Sequence, residues 1–348
     1  MSFKRDWWKL LGVILIIYSL IFGMLVPLGP GIVRVHPVRT IAGSTLEMNV
    51  EGYNSHYDES EVSAWLKLDE RFALEASRVD VIDRRHLTAI FEIPVAFPRP
   101  DSIHVLSLIL YNEIDGHSIL PQAIFAKSDP AVPSGAQAWQ DKVIQVDKAV
   151  TFHFPFRNIL LETIRNTFFH VQLWMSMMAI FTISMLHSIR YLRNRSILAD
   201  HKAQSFASVG VLYGMLGITT GMIWAKNSWG AYWSFDVKQN MAAIAMLIYF
   251  AYFILRSSMT DKDLGRRFSA VYNIFAFLML IPLLYIIPRM TASLHPGSGG
   301  NPAFGSQDLD NTMRMVFYPA IVGWILFGSW IANVQWRSLR LKHESEEA

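Results

Sequence analysis

Two rhythms alternate along this chain. Residues 10–28, 168–189, 206–224, 268–288 and 315–334 are apolar over close to the roughly 20 residues a helix needs to cross a bilayer. A sixth stretch, 241–255, is short, and residues of the aromatic segment before it are expected to complete the span. The first run is expected to be a retained anchor, because it is long and no small-x-small cleavage site precedes Gly29-Pro30-Gly31. Between the first two spans the rhythm changes to alternating polar and apolar positions. Residues 45–50, 62–68, 87–93, 103–110 and 118–125 read as short strands, separated by turn signals such as Asp115-Gly116. Strands at this spacing predict a β-sandwich. From 127 to 140 the chain is rich in Pro, Ser, Gly and Ala, as a linker would be.

The expected architecture is a mainly α membrane protein of about six transmembrane helices, with a β-sandwich inserted between helices 1 and 2. Its divisions are a first span at 1–29, the β domain at 30–126, a linker at 127–160, a five-helix membrane domain at 161–336 and a tail at 337–348.

Composition supports a mixed chain. It is 52% hydrophobic and 17% charged, where a soluble domain carries about 25% charge. The net charge of +3 resolves into clusters: Arg190, Arg193, Arg195 and Lys202 follow the second span, Arg256, Lys262, Arg266 and Arg267 the fourth, and Arg337, Arg340 and Lys342 the last. By the positive-inside rule both termini are cytoplasmic, and the β domain is extracytoplasmic, on the periplasmic side of an inner membrane. The basic residues are thus a topology signal, and nucleic acid is not an expected partner. Cysteine is absent, which removes disulfides, thiolate metal ligands and thioether attachment of heme to this chain. The histidines of the β domain (His36, His56, His86, His104 and His117) are scattered and suit surface or strand-pairing roles.

One segment stands apart. From Trp224 to Asn240, at the predicted outer interface, five aromatic residues fall close together with a glycine and an aspartate. An aromatic belt needs only one or two such residues per helix end. If the segment is helical, Trp229, Trp233 and Asp236 share a face with Tyr232 beside them, a flat shelf for a large planar ligand, with Gly230 allowing close approach. Composition alone leaves belt and ligand platform both open.

The run Trp229-Gly230-Ala231-Tyr232-Trp233-Ser234-Phe235-Asp236 resembles the tryptophan-rich motif of the CcmC, CcmF and CcsA group of heme-handling proteins in cytochrome c maturation, approximately W-G-x-W/Y-W-x-W-D. Trp224-Ala225 before it and Val237-Lys238-Gln239 after it look more like the CcsA form, W-A…D-P-K-E. Phe235 in place of the third Trp, and Val237-Lys238-Gln239 in place of Pro-Lys-Glu, depart from the pattern. The group also places a histidine on each side of the motif. His170, in Phe169-His170-Val171-Gln172-Leu173-Trp174-Met175, looks like the I-H-V-P-x-x-W-M element with Gln172 where proline would stand, and His295 resembles the second histidine. His187 lies 17 residues after His170, about 25 Å along a helix, and cannot share that site. His153 stands in a polar segment and is a weaker candidate.

The resemblance covers about residues 160 to 335 and implies that heme b, as a transferred substrate, lies against Trp224, Trp229, Gly230, Tyr232, Trp233, Phe235 and Asp236, its iron held between His170 and His295. Outward cations such as Lys226, Lys238, Arg289 and Arg314 could face the propionates, and the Gly-rich loop from Pro296 to Pro302 could move to admit heme. The implied acceptor is a periplasmic heme chaperone, with other maturation subunits nearby, or apocytochrome c. Six spans favour the CcmC-like role; the motif's flanks lean toward CcsA, where the chain would belong to a cytochrome c heme lyase. In the first role it presents heme and is not itself an enzyme. A reading from another class is a non-heme scaffold or transporter whose shelf binds lipid or quinone, and a third is a respiratory protein with heme buried permanently in the bilayer.

Overall fold

The computed structural model describes residues 3–139, 152–158, 160–295 and 309–347, and the chain divides into two compact units, one helical (1–26 and 163–348) and one rich in strands (27–162).

The helical unit holds α1 (Phe3–Leu25), α2 (His170–Asn194), α3 (Ile197–Trp229), α4 (Val237–Ser258), α5 (Lys262–Ile281), α6 (Ile287–Met290) and α7 (Asn311–Glu347). A π-helical turn, Pro282–Ile286, joins α5 to α6. Among the described residues six helical runs are long and apolar enough to cross a membrane. Their starts follow from local chemistry. Ser196 caps α3 and Asp261 caps α5, each side chain accepting from backbone N–H groups that the first turn leaves without a partner. The short span at 241–255 is completed at both ends, by 237–240, the last residues of the aromatic segment, and by 256–258. The expected tail is not a separate coil: α7 runs on to Glu347, with Arg340 and Glu344 paired at i,i+4 (2.7 Å).

Small residues and buried polar groups draw the helices together, as expected where lipid offers no hydrophobic contrast. A Cβ on Gly12 of α1 would meet Leu326 of α7 at 3.0 Å, and one on Gly323 of α7 would meet Leu15 at 3.0 Å. Asn273 of α5 donates to Ser184 and Ser188 of α2, both at 2.8 Å, and the Tyr213 hydroxyl of α3 donates to the Trp324 carbonyl of α7 at 2.8 Å. The helix ends sort into two groups. Arg256 at the end of α4 and Arg266 near the start of α5 pair with Asp200 at the start of α3, while Lys262 pairs with Glu346 at the end of α7. The starts of α2 and α4, the end of α3 and His295 gather at the opposite end.

The second unit has nine strands in two sheets: β1 (Gly31–His36), β2 (Arg39–Ile41), β3 (Thr45–Tyr53), β4 (Ser63–Lys67), β5 (Ala73–Glu75), β6 (Arg78–Val81), β7 (His86–Glu92), β8 (Ile103–Asn112) and β9 (Gly116–Lys127). One sheet runs β1-β3-β7-β6 and the other β2-β9-β8-β4-β5. Alternation sets the register. Leu46, Met48 and Val50 of β3 stand opposite Phe91, Ala89 and Leu87 of β7, and all six are buried. They share one core with Leu66 of β4, Leu106 and Leu108 of β8 and Ile124 of β9, so the two sheets bury a common interior. This unit is wider than residues 30–126. Trp139 is buried against Phe97 (5.1 Å between rings), and Phe154 is buried and bridges to Leu28, so parts of the expected linker pack within it. Three of its histidines have local partners: His56 meets Asp115 at 2.7 Å, His86 meets Asp83 at 2.9 Å, and His104 stacks on Phe97 while meeting Ser128 at 3.0 Å.

Candidate functional site

The aromatic segment is not one helix. α3 stops at Trp229 because Gly230 takes a left-handed conformation (φ 82°) and returns its N–H to the Lys226 carbonyl at 3.1 Å. Residues 231–236 form an irregular connection, and α4 begins only after Asp236. The continuous face expected for Trp229, Trp233 and Asp236 is therefore interrupted, and Gly230 supplies a helix terminus with open space around its Cα. What the connection presents is a set of unevenly exposed rings. Trp233 is half-buried, Tyr232 is exposed beside Lys226, whose Nζ lies 5.7 Å from the ring centre, and Phe235 is 78% exposed.

The connection is held by α4. Gln239 accepts from the Ser234 N–H at 2.9 Å and donates to the Tyr232 carbonyl at 3.2 Å, and Asn240 donates to the Phe235 carbonyl at 2.9 Å. Phe235 is thereby kept at φ 57°, a left-handed conformation that costs a non-glycine residue roughly 1–2 kcal/mol.

His295 joins this end through Asp236. The carboxylate caps α4 by accepting from the Lys238 N–H (2.9 Å), and it also accepts from the Ser293 hydroxyl (2.9 Å), the Leu294 N–H (2.8 Å) and His295 Nδ1 (3.0 Å). Burial alone would raise the Asp236 carboxyl, but the donors from Leu294, Lys238 and Ser293, with His295 beside them, hold it below the ordinary carboxylate range. An ionised carboxylate only accepts, so Nδ1 carries the proton and the lone pair sits on Nε2. Burial holds the His295 imidazole below its ordinary range against the pull of Asp236, which keeps the ring neutral. A neutral ring oriented by a carboxylate on its far nitrogen is the usual form of a metal-ligating histidine. The ring packs on Trp229 (4.7 Å between centres, 76°) and Trp224 (5.8 Å), which themselves meet edge to face at 5.0 Å.

His170, the first residue of α2, reaches the same end by another route. Its Nδ1 lies 2.9 Å from the Gly217 carbonyl, which can only accept, so again Nδ1 donates and Nε2 bears the lone pair. Two glycines of α3 make the approach possible: a Cβ on Gly221 would stand 2.7 Å from the His170 ring, and one on Gly217 would stand 2.9 Å from the Trp174 indole. Trp174 meets the His170 ring edge-on at 6.2 Å. The His170 ring lies against Gly221 and the His295 ring against Trp224, about one turn further along α3. They therefore come together with Trp224, Trp229 and Asp236, each with the nitrogen facing the protein already committed. His187 stacks on Phe206 (6.0 Å), near the other end of α2. The Gly-rich loop, Pro296 to Pro302, lies outside the described residues.

Sequence reasoning missed the α3 glycines. Gly210, Gly214, Gly217 and Gly221 recur at helical spacing on one side of the helix, a signal that was present in the chain.

The family model described as heme exporter protein C matches residues 146–348. Heme exporter protein C of Haemophilus influenzae is 22% identical over 142 residues, 41% of this chain and 57% of that protein. The cytochrome c biogenesis protein CcsA of a Synechococcus species is 38% identical over 101 residues, 29% of this chain and 31% of that protein. CcsA of Platanus occidentalis is 32% identical over 96 residues, 28% and 29% of the two chains. The chain thus spans between about a third and just over half of the length of these relatives.

Proposed function

Since the chain belongs to the heme exporter protein C family, we propose that it is an integral membrane protein that binds heme at the end of the bundle formed by His170, His295 and the Trp224–Asp236 segment, and passes it to an acceptor in cytochrome c maturation. The observation that carries the reading is the convergence of two histidines from distant parts of the chain, each with Nδ1 held by a protein acceptor, beside two tryptophans. Neutral imidazoles in this tautomer carry on Nε2 the lone pair that suits an iron porphyrin, and indole rings supply its apolar contacts. No covalent bond to the porphyrin is made or broken in this role; the protein holds heme b and presents it.

The distribution of basic residues supports a heme end on the periplasmic side of an inner membrane, with both termini on the other. The acceptor that fits the family is a periplasmic heme chaperone, and the strand-rich unit is the part of the chain available to dock it. The identity with CcsA proteins favours a second reading, in which apocytochrome c is the acceptor and the chain works within a heme lyase.

The test is to load the detergent-purified full-length protein with heme and mix it with apo heme chaperone or with apocytochrome c. Movement of heme into one acceptor selects between the two readings. A protein that takes up no heme even in excess would sink both, and would favour a scaffold or transporter with lipid or quinone against the aromatic rings.

Phe235 provides a finer check. A ring that is exposed and held in a costly backbone conformation is better explained by use than by packing. Phe235→Gly is expected to leave the thermal midpoint unchanged or raise stability by up to about 1 kcal/mol, since glycine adopts this conformation without strain. Heme retention is expected to fall severalfold in the same variant. Unchanged retention would remove Phe235 from the site.

A further inference from the structure

At the far end of the helical unit from the two histidines, the start of α3, the end of α4, the start of α5 and the end of α7 enclose a cavity of about 680 Å3. Its size falls within the roughly 300–1,000 Å3 of small-ligand sites. Cations dominate its rim, and most have partners. Arg256 is bound to Asp200, Arg266 pairs with Asp263 at 3.0 Å, and Lys262 pairs with Glu346 at 2.8 Å. Lys342 also lines the cavity; its charge reaches Glu346, but it makes no ion pair within 4 Å among the described residues.

Inside stands His201, only 6% exposed, whose Nδ1 has no hydrogen-bond partner. Its ring meets that of His343 edge to face at 5.6 Å. A buried imidazole nitrogen without a partner, in a residue that lines a cavity beside a lysine with no close ion pair, is a polar group that an anion bound there can satisfy. The remaining wall is apolar, formed by Phe253, Ile254 and Leu339. From Ile254 an outward stripe continues along α4 through Phe250 and Leu247, at helical spacing and with exposures of 67%, 39% and 64%. The cavity therefore joins a cationic pocket to an apolar groove that runs toward the middle of the helix.

We propose that this cavity binds a phosphate-bearing anion, and that the anion is the headgroup of an acidic phospholipid whose acyl chain lies along the Ile254–Phe250–Leu247 stripe. Lys342 and the exposed edge of Arg266 supply charge to the phosphate, and His201 supplies a hydrogen bond at depth. Basic pockets between spanning helices, at the level where the chain carries its positive residues, are suited to such headgroups. A soluble phosphate would satisfy the cations and His201 equally, but it would leave the apolar wall without a use.

The experiment uses the full-length protein in an uncharged detergent, titrated separately with phosphatidylglycerol, phosphatidylcholine and inorganic phosphate. Bound lipid is counted by native mass spectrometry, and the thermal midpoint is followed in parallel. Phosphatidylglycerol is expected to bind and to raise the midpoint. Lys342→Gln, an exposed change that leaves the fold untouched, is expected to weaken binding severalfold, and Lys342→Gln with His201→Gln roughly tenfold. An equal response to inorganic phosphate, abolished in the double variant, would support the anion site and reassign its source to a soluble ligand. Phosphatidylcholine binding as well as phosphatidylglycerol would overturn the anionic assignment, and so would phosphatidylglycerol affinity unchanged in Lys342→Gln, whose folding is not in question.

Discussion

Alanine in place of His170 or of His295 is expected to convert the heme complex from six-coordinate low-spin to five-coordinate, and alanine at both positions to leave the purified protein essentially heme-free. The two side chains enter from different elements, α2 and the segment after α6, and their Nδ1 atoms are held by different acceptors, the Gly217 carbonyl and Asp236. Each loss should therefore act on its own side of the iron. Even about 1.4 kcal/mol from one coordinate bond changes retention tenfold, so each single variant should keep on the order of a tenth of the wild-type heme or less. Removing His170 also removes its bond to the Gly217 carbonyl, so the thermal midpoint must be read beside the spectrum. Free imidazole separates the two effects. If the alanine variant is folded and lacks only a ligand, added imidazole should occupy the vacated space and restore the low-spin bands. A wild-type spectrum in both single variants would show that neither residue touches the iron.

Much of the architecture could be read from the chain because burial writes a period into it. The strands at 45–50, 62–68, 87–93, 103–110 and 118–125 correspond to β3, β4, β7, β8 and β9, each long enough to show alternation. The strands that escaped, β2, β5 and β6, have three or four residues and lie at sheet edges, where one neighbour suffices and the pattern is too short to see; β1 is longer but begins in a Gly-Pro-Gly turn. The aromatic segment departs from the conditional helical reading for a physical reason. Its ring spacing is compatible with a helical face, yet Gly230 is a common helix terminus, and Asp236 with Gln239 three residues on is a helix-start signature. In the fold Gln239 reaches back to Tyr232 and Ser234, beyond the cap residue itself. The pairing of Asp236 with His295 spans 59 residues and depends on how α4 and the segment after α6 meet, so no local pattern could carry it.

That pairing leads to the second large effect. Asp236→Asn is expected to weaken heme binding by roughly 10–100-fold while the protein stays folded, the range typical for losing the partner that orients a metal-ligating histidine. The side chain is almost wholly buried, 2% exposed, and its two oxygens take donors from Lys238, Ser293, Leu294 and His295. Asparagine caps a helix about as well as aspartate, so the start of α4 should survive. It offers one acceptor oxygen instead of two, and its NH2 group would face groups that also donate. Either the Ser293–Leu294 turn or His295 Nδ1 must then give up its bond, and the imidazole loses both its orientation and the carboxylate that raises its basicity. Asp236→Ala should do worse, losing the cap as well at about 1 kcal/mol. The informative quantity is the ratio between heme affinity and thermal midpoint in the two variants. A positioning role predicts a large affinity loss in Asp236→Asn with a midpoint near wild type, and full affinity in that variant would assign Asp236 to the helix start alone.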